Sequence, residues 1–185
     1  MVIINIEVKM RRMKKMNKDH QGQEYVKIPG SERNLVPGSQ KSSPVLPDEE
    51  MSVTVLVRRP SVASLVEKVG TPPFTSSRHL SREEFVAAHG ANQDDLKKVE
   101  EFAANHQLSV KEINVAAGTI LLTGPAAAFS KAFGVELANY EHPDFTYRGR
   151  TGHVQIPQEL ADIVDGVLGL DNRPALAIFK FLTIR

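Results

Sequence analysis

The sequence predicts an α+β fold: an antiparallel sheet with helices on one face, in the split βαββαβ order, followed by an added hairpin, a C-terminal helix and a tail. Three observations predict it. In "MSVTVLVR", residues 51–58, Met51, Val53, Val55 and Val57 alternate with Ser52, Thr54, Leu56 and Arg58, the period of a half-buried strand. A pair of helical patterns with capping signals lies between residues 81 and 106. Two strands, a two-turn helix and a further strand then follow in order from Ser109 to His142.

Each element has a local reason. Residues 1–50 read as an extended or mobile leader: from Asn17 to Glu50 the chain is polar, rich in Gly, Pro, Ser and Gln, and without a helical or strand period. Such a stretch buries too little apolar surface to offset its ordering entropy. The folded core is therefore placed at 51–176, starting with the strand at Met51, and 177–185 are placed as a tail. "SVASLVEKVG" (61–70) supplies a short helix ended by Gly70, Pro72 and Pro73. Ser81 stands three residues before Glu84, the spacing of a capping box, and Phe85, Val86 and His89 share the face of the helix that follows. Asn92 caps a second helix whose first turn holds Asp94 and Asp95, where the helix dipole favours negative charge. Its apolar stripe is Leu96, Val99, Phe102, Ala103 and His106.

"SVKEINVA" and "GTILLTG" form a hairpin turning at Ala117 and Gly118. Pro125 opens the helix "AAAFSKAF", since its missing N–H has no intrahelical partner at that position; Gly134 ends it and "VELANYEH" returns as a strand. Beyond lie a hairpin in "DFTYRGRTGHVQIP", a helix in "QELADIVDGVLGL" with Leu160, Ile163, Val164 and Val167 facing inward, and an extended tail "ALAIFKFLTIR". That tail is apolar at even and odd positions alike, so it is covered either by this domain or by a partner.

Composition narrows the function. Of 185 residues, 41% are hydrophobic and 24% charged, the balance of a soluble globular domain, and the net charge of +1 argues for neither a nucleic-acid nor a membrane-surface partner. The absence of cysteine excludes a disulfide framework, a cysteine nucleophile and a thiolate metal site. No apolar run approaches the roughly 18 residues of a membrane span. The amino terminus places an apolar patch before Lys9, Arg11, Arg12, Lys14, Lys15 and Lys18, the reverse of a secretory signal, and the basic cluster reads as a solvated tail. Met1 and Met16 both stand as starts.

Catalytic motifs are missing: no nucleophile elbow, P-loop or dinucleotide fingerprint occurs. The histidines at 20, 79, 89, 106, 142 and 153 lack metal-ligand spacing, although all can titrate near neutrality and a part in pH sensing stays open. The acidic pairs 83–84, 94–95 and 100–101 fall on helices, where neighbours point about 100° apart, so they read as solvated surface.

Four blocks carry a resemblance. "SREEFVAAHGANQDDLKKVEEFAANHQLSV", "VAAGTILLTGPAAAFSKAFGVEL", "HPDFTYRGRTGHVQIP" and "VLGLDNRP", in this order, resemble the activation propeptide of the sedolisins, the serine-carboxyl peptidases, and especially their kumamolisin branch. The resemblance covers roughly residues 51 to 176 and implies a ferredoxin-like, subtilisin-propeptide-like fold preceding a subtilisin-like catalytic domain. It implies a non-catalytic inhibitor and intramolecular chaperone that docks its sheet on the enzyme, runs its tail into the active-site cleft and is released at low pH. The family's Ser, Glu and Asp set, oxyanion-hole Asp and calcium site belong to the following domain. Only "GTI" at 118–120 approaches the nucleophile motif G-T-S, without its serine. No catalytic residue, metal or cofactor is thus expected in this chain, which stops at Arg185 near the expected junction. The expected location is extracellular, within a secreted precursor.

Expected contacts with the catalytic domain are Tyr147, Arg148, Arg150 and His153 in the hairpin, and Arg173, Phe179, Lys180, Phe181, Leu182, Thr183, Ile184 and Arg185 toward the end. They rest on the exposure expected of a hairpin, on complementarity to the acidic cleft the resemblance implies, and on the unbalanced charge of the tail. The alternative is a stand-alone ferredoxin-like module binding another protein or RNA. Exposed aromatics would support RNA stacking, and "MSVTVLVR" and "GTILLTG" have none.

Overall fold

The computed structural model describes residues 24–59 and 81–174, without the side chains of Arg82 and Ala88. The helix expected at 61–70, the basic cluster at 9–18 and the tail from Ala175 to Arg185 lie outside the described residues. The strands are β1 (Tyr25–Lys27), β2 (Gln40–Pro44), β3 (Glu50–Val57), β4 (Ser109–Asn114), β5 (Thr119–Pro125), β6 (Ala138–His142), β7 (Phe145–Gly149), β8 (Gln155–Pro157) and β9 (Val164–Leu168). The helices are α1 (Arg82–His89), α2 (Gln93–Asn105) and α3 (Ala126–Ala132), with a 3₁₀ turn over Gln158–Leu160.

The main sheet has the order β4-β5-β3-β9, every pair antiparallel. The alternation expected in β3 is observed: Met51, Val53, Val55 and Val57 are buried, while Ser52 is exposed and Thr54 and Leu56 are half-buried. Across from them Ile120 and Leu122 of β5 are fully buried. These side chains meet Leu96, Val99, Phe102 and Ala103 of α2 and Ala126, Phe129 and Ala132 of α3 in one core. Burying a large apolar side chain such as Phe129 contributes about 1.5–3 kcal/mol, so the helical layer and the sheet are held by that shared interior. Phe129 and Phe133 stack at 6.3 Å, and Phe102 tilts against Phe133 at 5.6 Å.

The helix starts follow their caps. The Glu84 N–H donates to the Ser81 hydroxyl (3.1 Å) and the Ser81 N–H to the Glu84 carboxylate (2.9 Å), closing the capping box. The Asn92 side chain accepts from the Asp94 N–H at 2.8 Å. Between β4 and β5 the chain turns over Val115–Gly118, with Gly118 at φ +65 and the Ala117 N–H donating to the Asn114 side chain at 3.0 Å.

Three expectations are corrected. First, the stretch before Met51 contributes structure: β1 pairs with β8, β2 pairs with β6, and Ile28 and Val45 enter the main core. Each strand is too short to show a period, and each is stabilised by a partner more than a hundred residues or nearly so along the chain. Second, the fourth strand of the main sheet is β9 rather than 135–142; β6 joins β2 and β7 in a separate three-stranded sheet around Val36, Tyr140 and Tyr147. The hairpin therefore runs from β6 to β7, and the second half of "DFTYRGRTGHVQIP" pairs with β1 instead. Third, the helix expected over 158–170 is one 3₁₀ turn followed by β9. Leu160, Ile163 and Val164 do point inward, but Val164, Gly166, Val167 and Gly169 are poor helix formers, and the free edge of β3 offers a ladder.

Candidate partner-docking surface

Period two gives the main sheet a second face. Glu112, Leu121, Thr54 and Leu168 stand side by side across β4, β5, β3 and β9. Asn114, Thr119, Leu56 and Gly166 form the adjoining row, and Ser109, Thr123 and Ser52 a third. These positions are exposed or half-buried, and Leu168 keeps 52% of its surface open to solvent. Aliphatic groups thus alternate with hydroxyls and an amide on a face whose named positions include one charge, Glu112. Such a face suits contact with another folded surface; it pairs no nucleophile with a base and offers no aromatic for a nucleobase to stack on. Val110 and Ile113 belong to the inner side of β4, opposite Leu122 and Ile120, and remain over a third exposed because β4 is the sheet edge.

Beside this face, the segment that follows β9 is tied down by arginines. Arg148 of β7 ion-pairs with Glu49 at 2.8 Å and donates to the Gly169 and Leu170 carbonyls at 3.2 and 3.4 Å. Its backbone N–H donates to the Asn172 side chain at 2.6 Å, and the Asn172 N–H returns to the Arg148 carbonyl at 3.0 Å. Arg173 clasps Asp171, with Nε at 2.9 and 2.8 Å from the two carboxylate oxygens, and donates through Nη1 to the Asn34 carbonyl at 2.8 Å. The Asp171 hydrogen bond raises the Arg173 pKa above its ordinary value against the opposing pull of burial. Its guanidinium also lies 5.4 Å over the Tyr147 ring.

The structure therefore gathers Tyr147, Arg148, Arg150 and Arg173, but not as an exposed hairpin. Tyr147 is buried, stacked on Tyr140 at 5.3 Å, and its hydroxyl accepts from the Val36 N–H at 3.3 Å. Arg150 is 4% exposed, donating to the Gly152 and Ser31 carbonyls at 2.7 and 2.8 Å. Burial lowers its pKa, and the neighbouring Arg33 lowers it further. His153 is half-buried, 3.9 Å from Glu32. Phe179 to Arg185 lie outside the described residues. The exposure on which these residues were chosen is absent for Tyr147 and Arg150, because β6, β7 and the 31–36 loop close over them. The resemblance implies docking through the sheet but names no residue of its outer face, although the other half of the β3 alternation carries that signal.

Among the described residues no three His, Asp or Glu side chains come together as a metal site, and no helix is long and apolar enough to cross a membrane. The family model described as pro-kumamolisin, activation domain, matches residues 37–173. Kumamolisin of Bacillus sp. (strain MN-32) is 39% identical over 168 residues, covering 89% of this chain and 30% of that protein. Tripeptidyl-peptidase sed5 of Aspergillus fumigatus is 26% identical over 164 residues, covering 79% of this chain and 28% of its own. The chain spans less than a third of either relative. A sheet with helices on one face, a second face left open and the matches together lead to one conclusion: the chain belongs to the pro-kumamolisin activation domain family, the propeptide and not the catalytic part of a sedolisin-type peptidase.

Proposed function

We propose that this chain seats the outer face of its main sheet on the catalytic domain of a sedolisin-type peptidase, inhibiting it and templating its folding. The single observation that carries this is the open aliphatic and hydroxyl-bearing face of β5, β3 and β9, which ends beside the pinned segment 169–173. A partner docked on that face meets the chain where it continues toward residues 175–185, the stretch proposed to enter the active-site cleft. Binding the native enzyme alone stabilises it in proportion to occupancy, and binding the folding transition state speeds folding. The precursor is proposed to be secreted.

Release is proposed to follow acidification. Where a carboxylate at the contact pairs with a cation across it, protonation removes that attraction, and charging a histidine beside a cation adds repulsion.

The test is the residual activity of a kumamolisin-type catalytic domain incubated with this chain at near-neutral pH and at pH 4. Inhibition that relaxes in acid is expected, and Leu168→Arg should weaken it at least about tenfold while circular dichroism stays unchanged. No inhibition at either pH by a folded chain would overturn the reading in favour of an independent binding module.

A further inference from the structure

A cavity of about 390 Å³ opens where β9 ends. Arg33, Arg150, Arg173 and Asp171 line it together with Val167, Leu168, Gly169 and Leu170. Three guanidinium groups against one carboxylate leave a surplus of two positive charges. Arg173 is already clasped by Asp171. Neither Arg33 nor Arg150 has a carboxylate within 4.0 Å among the described residues; the Arg33 side chain donates to the Glu32 carbonyl at 3.1 Å, and Glu32 turns its carboxylate toward His153. Arg150 directs its two Nη groups to backbone carbonyls, while its buried Nε has no hydrogen-bond partner among the described residues.

Arg150 is removed from water with no carboxylate in ion-pair contact, the more distant Asp171 opposes that cost only in part, and the Arg33 cation beside it adds repulsion. Both costs fall when an anion enters, and a planar guanidinium fork matches the two oxygens of a carboxylate. The leucine wall suits the methylene stem that carries one. Location selects the bearer. Leu168 stands in the outer-face row with Thr54 and Leu121 and also walls the cavity, so the two surfaces are continuous.

We propose that the Arg33–Arg150 cavity receives an aspartate or glutamate side chain of the peptidase domain that covers the outer sheet face. This rests on the docking reading above and adds to it the anchor that sets the orientation of the two domains. A single buried carboxylate–arginine contact fixes register, where the aliphatic face alone would tolerate sliding.

The experiment measures the inhibition constant of the chain against a kumamolisin-type catalytic domain for wild type, Arg33→Gln and Lys98→Gln. Arg33 is exposed, so its loss spares the fold; Lys98, exposed on the helical side, removes the same charge far from the cavity. Arg33→Gln should weaken inhibition about fivefold to tenfold, and Lys98→Gln less than about twofold. Equal inhibition by Arg33→Gln and wild type would overturn the proposal. If the wild-type chain does not inhibit at all, the docking reading fails, and with it the peptidase as bearer. Malonate against chloride at equal ionic strength then decides the cavity itself: a saturable rise in Tm that Arg33→Gln abolishes keeps a carboxylate site for another bearer, and no rise removes it.

Discussion

Glu136, just before β6, holds Lys41 of β2 through a charge-assisted hydrogen bond at the surface. That hydrogen bond, and then the charge of Lys41, lower the Glu136 pKa, and the same two causes raise that of Lys41. A lowered carboxyl pKa means a contribution complete above the ordinary Glu range and lost as pH falls through the folded value; the raised Lys41 pKa means one lost only as pH rises through its own. Both groups are exposed to solvent, so the pair serves as a reporter and not as a source of stability. In Lys41→Gln the Glu136 pKa should climb back toward the ordinary glutamate range, read by carbon-detected NMR titration. An unchanged value would mean that β2 does not hold Lys41 there. At this scale the sequence was least informative. Tyr147 and Arg150 look like surface residues of a hairpin until Val36 and Ser31 are brought against them from elsewhere in the fold.

β9 shows what an element needs beyond its pattern. Leu160, Ile163, Val164 and Val167 have helical spacing, and their inward direction is largely right, yet the chain is extended. A short apolar run supports either reading, and the edge of β3 decides between them. Gly169 makes the close of that strand possible: its φ is +98, and an added Cβ would lie 2.8 Å from the Ser52 carbonyl oxygen. Gly152 has φ +76, and an added Cβ there would meet nothing within 4 Å among the described residues. Gly169→Ala should therefore cost about 2–3 kcal/mol in urea unfolding and Gly152→Ala about 1. Equal losses would remove the close-approach argument. By contrast, the caps of α1 and α2 and the alternation of β3 were legible outright, because their causes lie within a few residues.

For the whole molecule, the segment before Met51 matters most. β1 covers β8 and β2 covers β6, while Ile28 and Val45 fill the core that helices and sheet share. A chain starting at Met51 should unfold at lower urea concentration with a smaller m-value than the full chain, since less surface is buried. Matching curves would place the folding unit at Met51, as its first strong strand suggests. The sequence by itself determined the α+β class, the helix starts, the inward positions of β3 and the propeptide resemblance. Those depend on local periodicity, capping and the order of whole blocks. Only the tertiary structure decided that β9 completes the main sheet, that residues 25–44 pair with strands 6 and 8, and that the arginines converge on the 169–173 segment. Each of these is a choice of hydrogen-bond or charge partner from a distant part of the chain, and no local pattern records which partner will be available.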